Sequence, residues 1–284
     1  MLTAQQLQDL IKLQQRCEAA DQIALKLNWD MLKNRKQEEQ LDFTFYEQEE
    51  LIGFLGVYRW DNQVEVCGMV HPDYRRRGVF TQLWQQAVTQ VKQQPYEELL
   101  LNTPAASPSG QAFIASLAAA YHHSEYQMKW VDRNAASLPS EASEGSPSQA
   151  ITLRPAAAED LETMVQLDVD GFQQDENSAR LMTEAVLSED HQNPLIIEKD
   201  GAIVGKITIT YDSSITWIYA FVMKAELRGQ GIGRAALNQI IARERWKSKQ
   251  LWIEVAAENP RALKLYESCG FVIQEQQDYY QYTG

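Results

Sequence analysis

Residues 228–234 of this 284-residue chain read Arg-Gly-Gln-Gly-Ile-Gly-Arg, three glycines within five positions and an arginine at each end. An apolar run with helical spacing follows. A helix N-terminus presents unpaired backbone N–H groups and a partial positive charge. Glycines at 229, 231 and 233 clear side chains from that space and admit unusual dihedrals, so successive N–H groups converge on an anion. A diphosphate is the natural guest, with Arg228 and Arg234 adding charge at the rim. A P-loop would close on Gly-Lys-Ser/Thr, whereas this stretch closes on Gly-Arg-Ala. A dinucleotide fingerprint needs a first parallel βαβ unit, and here the glycines follow an antiparallel meander. The plain alternative is a flexible turn that caps a helix.

The elements that must position this loop follow from periodicity and turn residues. A strand at 151–155 precedes helices near 159–170 and 176–189. A hairpin, LIIEKDGAIVGKITITYD, turns at Asp200-Gly201. A third antiparallel strand, SITWIYAFVM, delivers the chain to the glycines. Then come a helix to about Trp246, the strand LWIEVAA, a helix near 260–268 and a final pair of strand segments. The first half repeats the plan: helix 3–19, a hairpin over 41–60, strand VEVCGMV, a basic loop, helix 79–93, strand EELLLNT, helix 109–119 and strand SEYQMKWV. Self-comparison agrees. Residues 70–84 lie over 223–237 at an offset of 153, placing Arg75 on Arg228 and Gly78 on Gly231. A later segment matches at an offset of 150, placing Ser109 under Asn259, Ser116 under Tyr266 and Tyr121 under Phe271. Residues 134–149, almost all Ser, Ala, Pro, Gly and Glu, bury too little apolar surface to order and read as a linker. The expectation is two tandem α+β domains, 1–133 and 150–284, each a mixed, mostly antiparallel central sheet flanked by helices.

Arg-x-x-Gly-x-Gly at 228–233 combines with LWIEVAAENPRALKLYESCGF at 251–271, a strand, polar loop, short helix and Gly-Phe stop. Together they resemble the acyl-CoA-binding core of the GCN5-related N-acetyltransferases (GNAT), and the whole chain resembles a tandem member of that superfamily. The resemblance implies an acetyl-CoA-dependent N-acetyltransferase, with acetyl-CoA as co-substrate and no metal. It implies that the strand at Ala220, Phe221 and Val222 bonds the pantetheine arm. It implies that the backbone from Arg228 through Gly229, Gln230, Gly231, Ile232 and Gly233 to Arg234 holds the pyrophosphate, and that Asn259 contacts the CoA arm. Tyr266 matches the tyrosine that protonates the departing thiolate, and Glu254 matches a glutamate used as base. The types suit the chemistry. An amine must lose its proton before attack, a carboxylate can take it, and a hydroxyl eases departure of the thiolate. Each residue also has an ordinary reading. Tyr266 packs a ring, Glu254 is a surface residue, and Asn259 caps the helix that starts at Pro260. Tyr219, Asp168, Asp170 and Asp175 are rival polar groups for the substrate pocket.

The first half departs from the pattern. Its loop is Arg75-Arg76-Arg77-Gly78-Val79-Phe80, with Phe80 where the motif has a small residue. That ring either crowds the phosphates or packs on the helix behind them. With no acid or secure base, this half reads as a degenerate domain that scaffolds the substrate pocket, or as one that still binds a CoA-like ligand. His71, His122 and His123 are tempting as a cluster, but adjacent histidines before a strand are commonly solvated and no cysteine or acid completes a metal set. Three dispersed cysteines argue against disulfides and fit a reducing cytoplasm. A formal charge of −13 argues against nucleic acid. The expected acceptor is a small-molecule or peptide amine; the charge is compatible with a cationic one, and many proteins are simply acidic. No apolar run is long enough for a membrane span. Monomer and homodimer both remain open, as does the rival reading of a non-catalytic acyl-CoA sensor that kept the fold.

Overall fold

Thr3 opens the first helix with a capping box: its hydroxyl accepts from the Gln6 N–H, and the Gln6 side chain accepts from the Thr3 N–H. The computed structural model describes residues 2–35, 40–60, 62–132, 151–212, 215–247 and 250–284, so the expected linker at 134–149 lies outside the described residues. Helix α1 (Ala4–Asp21) and a short α2 (Trp29–Asn34), which periodicity did not reveal, precede the hairpin β1 (Asp42–Glu47) and β2 (Glu50–Trp60). Then come β3 (Gln63–Val70), α3 (Val79–Val91), β4 (Glu98–Pro104), α4 (Pro108–Ile114) and β5 (Ala119–Trp130). Helix α4 stops five residues short of the expected 119, because the chain is already extended at Ala119.

The second series is β6 (Ile151–Pro155), α5 (Leu161–Phe172), α6 (Glu176–Ser188), β7 (Gln192–Lys199), β8 (Ala202–Asp212) and β9 (Ile215–Met223). It ends with α7 (Ile232–Glu244), β10 (Gln250–Ala256), α8 (Pro260–Ser268) and β11 (Phe271–Tyr282). The expected final pair of segments is thus one strand. The β7–β8 turn has Asp200 at φ 52° and Gly201 at φ 77°, the left-handed pair that a two-residue hairpin requires.

The chain divides into two compact units, and their bounds are not those of the sequence halves. One holds residues 1–125 with 275–284, the other residues 126–274. In the first, the sheet order is β1-β2-β3-β4-β11, with β11 antiparallel to β4 from Gln277↔Pro104 to Gln281↔Leu100. In the second it is β5-β10-β9-β8-β7-β6. Each sheet is closed by the last strand of the other half's sequence. The self-comparison had no means of detecting this, because exchanging equivalent strands leaves the repeat unchanged.

In the second unit, Ile218, Leu251, Ile253 and Val255 alternate onto one sheet face and pack against Ile232, Ala236, Leu237 and Ile240 of α7. In the first unit, Val64, Val66, Leu99 and Leu101 meet Val79, Leu83, Ala87 and Val91 of α3 in the same way. The opposite face of β2 and β3 packs on Leu10, Leu13 and Cys17 of α1.

Candidate active site

In both units a pair of parallel strands runs side by side and then parts. Strands β9 and β10 pair from Ile215↔Gln250 to Ile218↔Ile253 and no further. Strands β3 and β4 pair from Gln63↔Glu98 to Val66↔Leu101. Beyond those points the ladder between the two central strands stops and each sheet has a slot there. Such a slot offers an extended ligand strand-like hydrogen bonding.

The second unit adds a β-bulge at its slot. Lys206 pairs with Val222 and Thr208 with Tyr219, so Ala220 and Phe221 together oppose Ile207. Ala220 stands at φ 48°, a left-handed conformation uncommon for a residue with a Cβ. The extra residue breaks the ladder and re-aims the backbone. The first unit has no bulge there. Leu55 pairs with Gly68 in regular register, and a Cβ on Gly68 would lie 2.4 Å from the Phe54 carbonyl oxygen. The bulge accounts for a change in the repeat offset, which is 152 before it (Gln63 with Ile215) and 153 after it (Val70 with Met223).

The two loops that follow share one backbone shape. Gly78 has φ 80°, ψ 2° and Gly231 has φ 84°, ψ −8° at the mouths of α3 and α7. Two residues earlier, Arg76 (φ 63°) and Gly229 (φ 82°) are also left-handed. A Cβ at Gly231 would meet nothing within 4 Å, so this glycine is needed for its dihedral and for open access. A Cβ at Gly233 would make only ordinary contacts with Phe221, Met223 and Leu265, so space is not its reason. Arg228 differs from the expected rim charge. Its Nε donates to the Met223 carbonyl at 2.9 Å and braces the loop from within. Arg75 does likewise, to Val70 at 3.1 Å, and its guanidinium also holds Asp21 at 2.8 Å. Arg234 is exposed, Gln230 donates to the Glu226 carbonyl, and Ile232 and Val222 are buried.

Tyr266 of α8 is buried, its ring 6.4 Å from that of Phe221 and nearly parallel to it. Burial pushes its phenol well above the ordinary range, so it holds its proton. Glu254 alternates with the core residues Ile253 and Val255 and thus faces away from α7, where it accepts from Gln127 Nε2 at 2.9 Å. Tyr266 and Glu254 therefore approach the slot from opposite faces of the sheet. Asn259 caps α8 through the Ala262 N–H at 3.0 Å. Of the rival groups, Tyr219 shares the face of Glu254, while the three aspartates have structural partners. Asp168 is ion-paired with buried Lys206 and accepts from Thr183, Asp170 accepts from Gln166, and Asp175 caps α6. Gly171 of α5 sits so close to Val222 that a Cβ would lie 2.7 Å from a methyl group.

The matching positions in the first unit are corrected by its strand register. An offset of 152 relates β4 to β10 and α4 to α8, in place of the expected 150. Asn102 thus stands at the Glu254 position and Ile114 at the Tyr266 position. Ser107, which caps α4 through the Gly110 N–H at 3.2 Å, stands at the Asn259 position, displacing Ser109 and Ser116 from those roles. Phe80 packs edge-on against Phe113 at 4.6 Å, behind the loop. The slot of this unit opens into a cavity of about 610 Å³ lined by Cys67, Gly68, Arg76, Phe80, Asn102 and Ile114. His123 stacks on Tyr279 at 4.3 Å. Among the described residues no group of three His, Cys, Asp or Glu side chains is arranged to hold a metal, and no helix is long and apolar enough to cross a membrane.

Comparison with known proteins converges on the same architecture. No curated protein matches the sequence. A solved GCN5-related N-acetyltransferase from Sphaerobacter thermophilus is 20% identical with a TM-score of 0.73, covering 96% of this chain and 91% of its own. A tandem GNAT protein from the clavulanic acid biosynthesis pathway is 17% identical with a TM-score of 0.68, covering 97% and 94%. A GNAT-family acetyltransferase from Colwellia psychrerythraea is 16% identical with a TM-score of 0.60, covering 98% and 97%. The Acetyltransferase (GNAT) family pattern matches twice, over residues 6–116 and 159–271. With one match in each half, the slot, the glycine-mouthed helix and their repetition have a single explanation: the chain belongs to the GNAT acetyltransferase family and carries its fold in tandem.

Proposed function

We propose that the protein transfers an acetyl group from acetyl-CoA directly to a primary amine, and that the second unit performs the chemistry. The bulge at Ala220–Phe221 carries this reading. It frees backbone groups beside a slot that Tyr266 and Glu254 flank from opposite faces, and the first unit has no counterpart of any of the three. Phe221 and Val222 offer their backbone to the pantetheine arm. The turn from Arg228 to Arg234, with Gly229, Gln230, Gly231, Ile232 and Gly233 between, takes the diphosphate, and Asn259 borders the same arm while capping α8. Glu254 accepts the proton of the attacking ammonium, directly or through water. The amine nitrogen forms its bond to the carbonyl carbon, the C–S bond breaks, Tyr266 gives its proton to the thiolate, and the second proton of the acylated nitrogen leaves to solvent, from which Tyr266 is reprotonated. Most of the remaining rate comes from positioning.

The first unit lacks the acid and the base, so it serves as a scaffold in this reading. Its open cavity and its matching loop dihedrals favour a further role, holding a CoA-type ligand without turnover. Calorimetric titration with acetyl-CoA separates the cases. One site per chain, abolished by Gly231→Val, is the outcome expected of a pure scaffold. Two sites, one of them surviving Gly231→Val, identify the first cavity as a second ligand site. Absence of binding, or of amine-dependent CoA release, sinks the acetyl-transfer reading.

A further inference from the structure

The sheet face that carries Glu254 has an aromatic floor. Trp217 and Trp252 are register partners on β9 and β10, in the last turn of the pleat before the strands part. Their ring centroids lie 5.6 Å apart at 35°, and both rings are only half-buried. Alternation places Tyr219 and Glu254 two residues further on, on the same face and about 7 Å along. On the neighbouring strand β5, Gln127 holds Glu254, and Lys129 sets its ammonium 5.8 Å over the Trp252 ring. The face thus carries a carboxylate, paired indoles and, over the Trp252 ring, a cation. At the equivalent positions of the first unit stand Glu65 and Leu100 in place of Trp217 and Trp252, so the floor is peculiar to the second unit.

A partly exposed indole pair binds an aromatic or apolar body and favours a cation over a ring face. Lys129, set over the Trp252 ring, repels a second positive charge and attracts a negative one. We propose that Trp217, Trp252 and Lys129 form the acceptor subsite of the second unit, and that the acceptor is a primary amine with an aromatic or apolar body and an acidic group at its far end. Its ammonium lies at Glu254, its body on the indoles and its anionic end at Lys129. This rests on the acetyl-transfer reading above and narrows its substrate class. It opposes polycationic acceptors, which the acidic composition alone would have favoured.

Three probes of one shape test it: 4-(aminomethyl)benzoate, benzylamine and 1,4-bis(aminomethyl)benzene, whose far ends are negative, neutral and positive. With acetyl-CoA saturating, kcat/KM is expected to fall in that order, by roughly tenfold at the first step. Lys129→Glu should invert the order. Trp252→Ala should raise the KM for 4-(aminomethyl)benzoate by roughly tenfold while the acetyl-CoA KM is unmoved, and Trp252→Phe should restore most of the loss. A preference for the diamine in the native protein overturns the proposal, as does an order untouched by Lys129→Glu or an acceptor KM untouched by Trp252→Ala. If none of the probes is acetylated, indole fluorescence is titrated with 4-(aminomethyl)benzoate. A response lost in Trp217→Phe/Trp252→Phe supports the subsite even with the acetyl-transfer reading gone. No response in the native protein overturns it.

Discussion

At the scale of single residues, Tyr266 and Glu254 would divide the proposed reaction between them by their surroundings. Tyr266 sits in the apolar core that α7 and α8 share, where burial keeps the phenol protonated. Glu254 emerges on the opposite sheet face and is held by Gln127. Tyr266→Phe keeps the ring and its contact with Phe221 and removes only the hydroxyl. Turnover should fall by about 100-fold, the usual scale of general acid catalysis, with acetyl-CoA affinity within about twofold of the native value. A large loss of affinity measured by calorimetry would instead make Tyr266 a packing or binding residue. Arg228 was legible as part of the motif but not in its posture. Nothing in residue order says that its guanidinium turns inward to the Met223 carbonyl, since that bond depends on where β9 ends in space.

At the scale of elements, the second half adds β6 at its start, and at the slot its ladder is longer than that of the first half by one residue, Ala220. Deleting Ala220 together with Phe221→Gly would copy the regular ladder of the first unit, where Gly68 faces Leu55. The variant should melt within a few degrees of the native protein, because a strained left-handed residue worth about 1–2 kcal/mol is lost along with the bulge. Its acetyl transfer should drop below detection. Retained turnover would mean that the freed backbone of the bulge is not needed. This difference was within reach of the sequence, because the repeat offset steps from 152 to 153 across β9. The glycine loop, the Asp-Gly hairpin and the helix after Asn259-Pro260 were legible because each rests on local chemistry. The short helix α2 and the positions of Ile114 and Asn102 were not. A six-residue helix has too few turns to display a period, and residue equivalence across the slot depends on strand register.

At the scale of the whole molecule, the repeat in the sequence and the units in space do not coincide. The first unit takes its closing strand from residues 275–284, and that strand does much of its packing. Tyr279 is buried, receives a hydrogen bond from Lys26 at 2.8 Å and donates to Glu125 at 2.8 Å. Tyr282 meets Trp84 edge-on at 5.1 Å. Removing residues 275–284 should cost the first unit several kcal/mol, about 2 for each large buried side chain. Hydrogen exchange should then show amides of β2 and β3 losing protection while those of β8 and β9 keep theirs. Equal loss in both would refute the division. The same division has a consequence for how the chain is made. Residues 1–125 leave the ribosome first, yet their sheet lacks its last strand until 150 further residues have been translated. At 5–20 residues per second that is a delay of roughly 8–30 s. Throughout it, β4 has a bare edge that can recruit a wrong strand, so the half synthesised earliest is the one most in need of a chaperone.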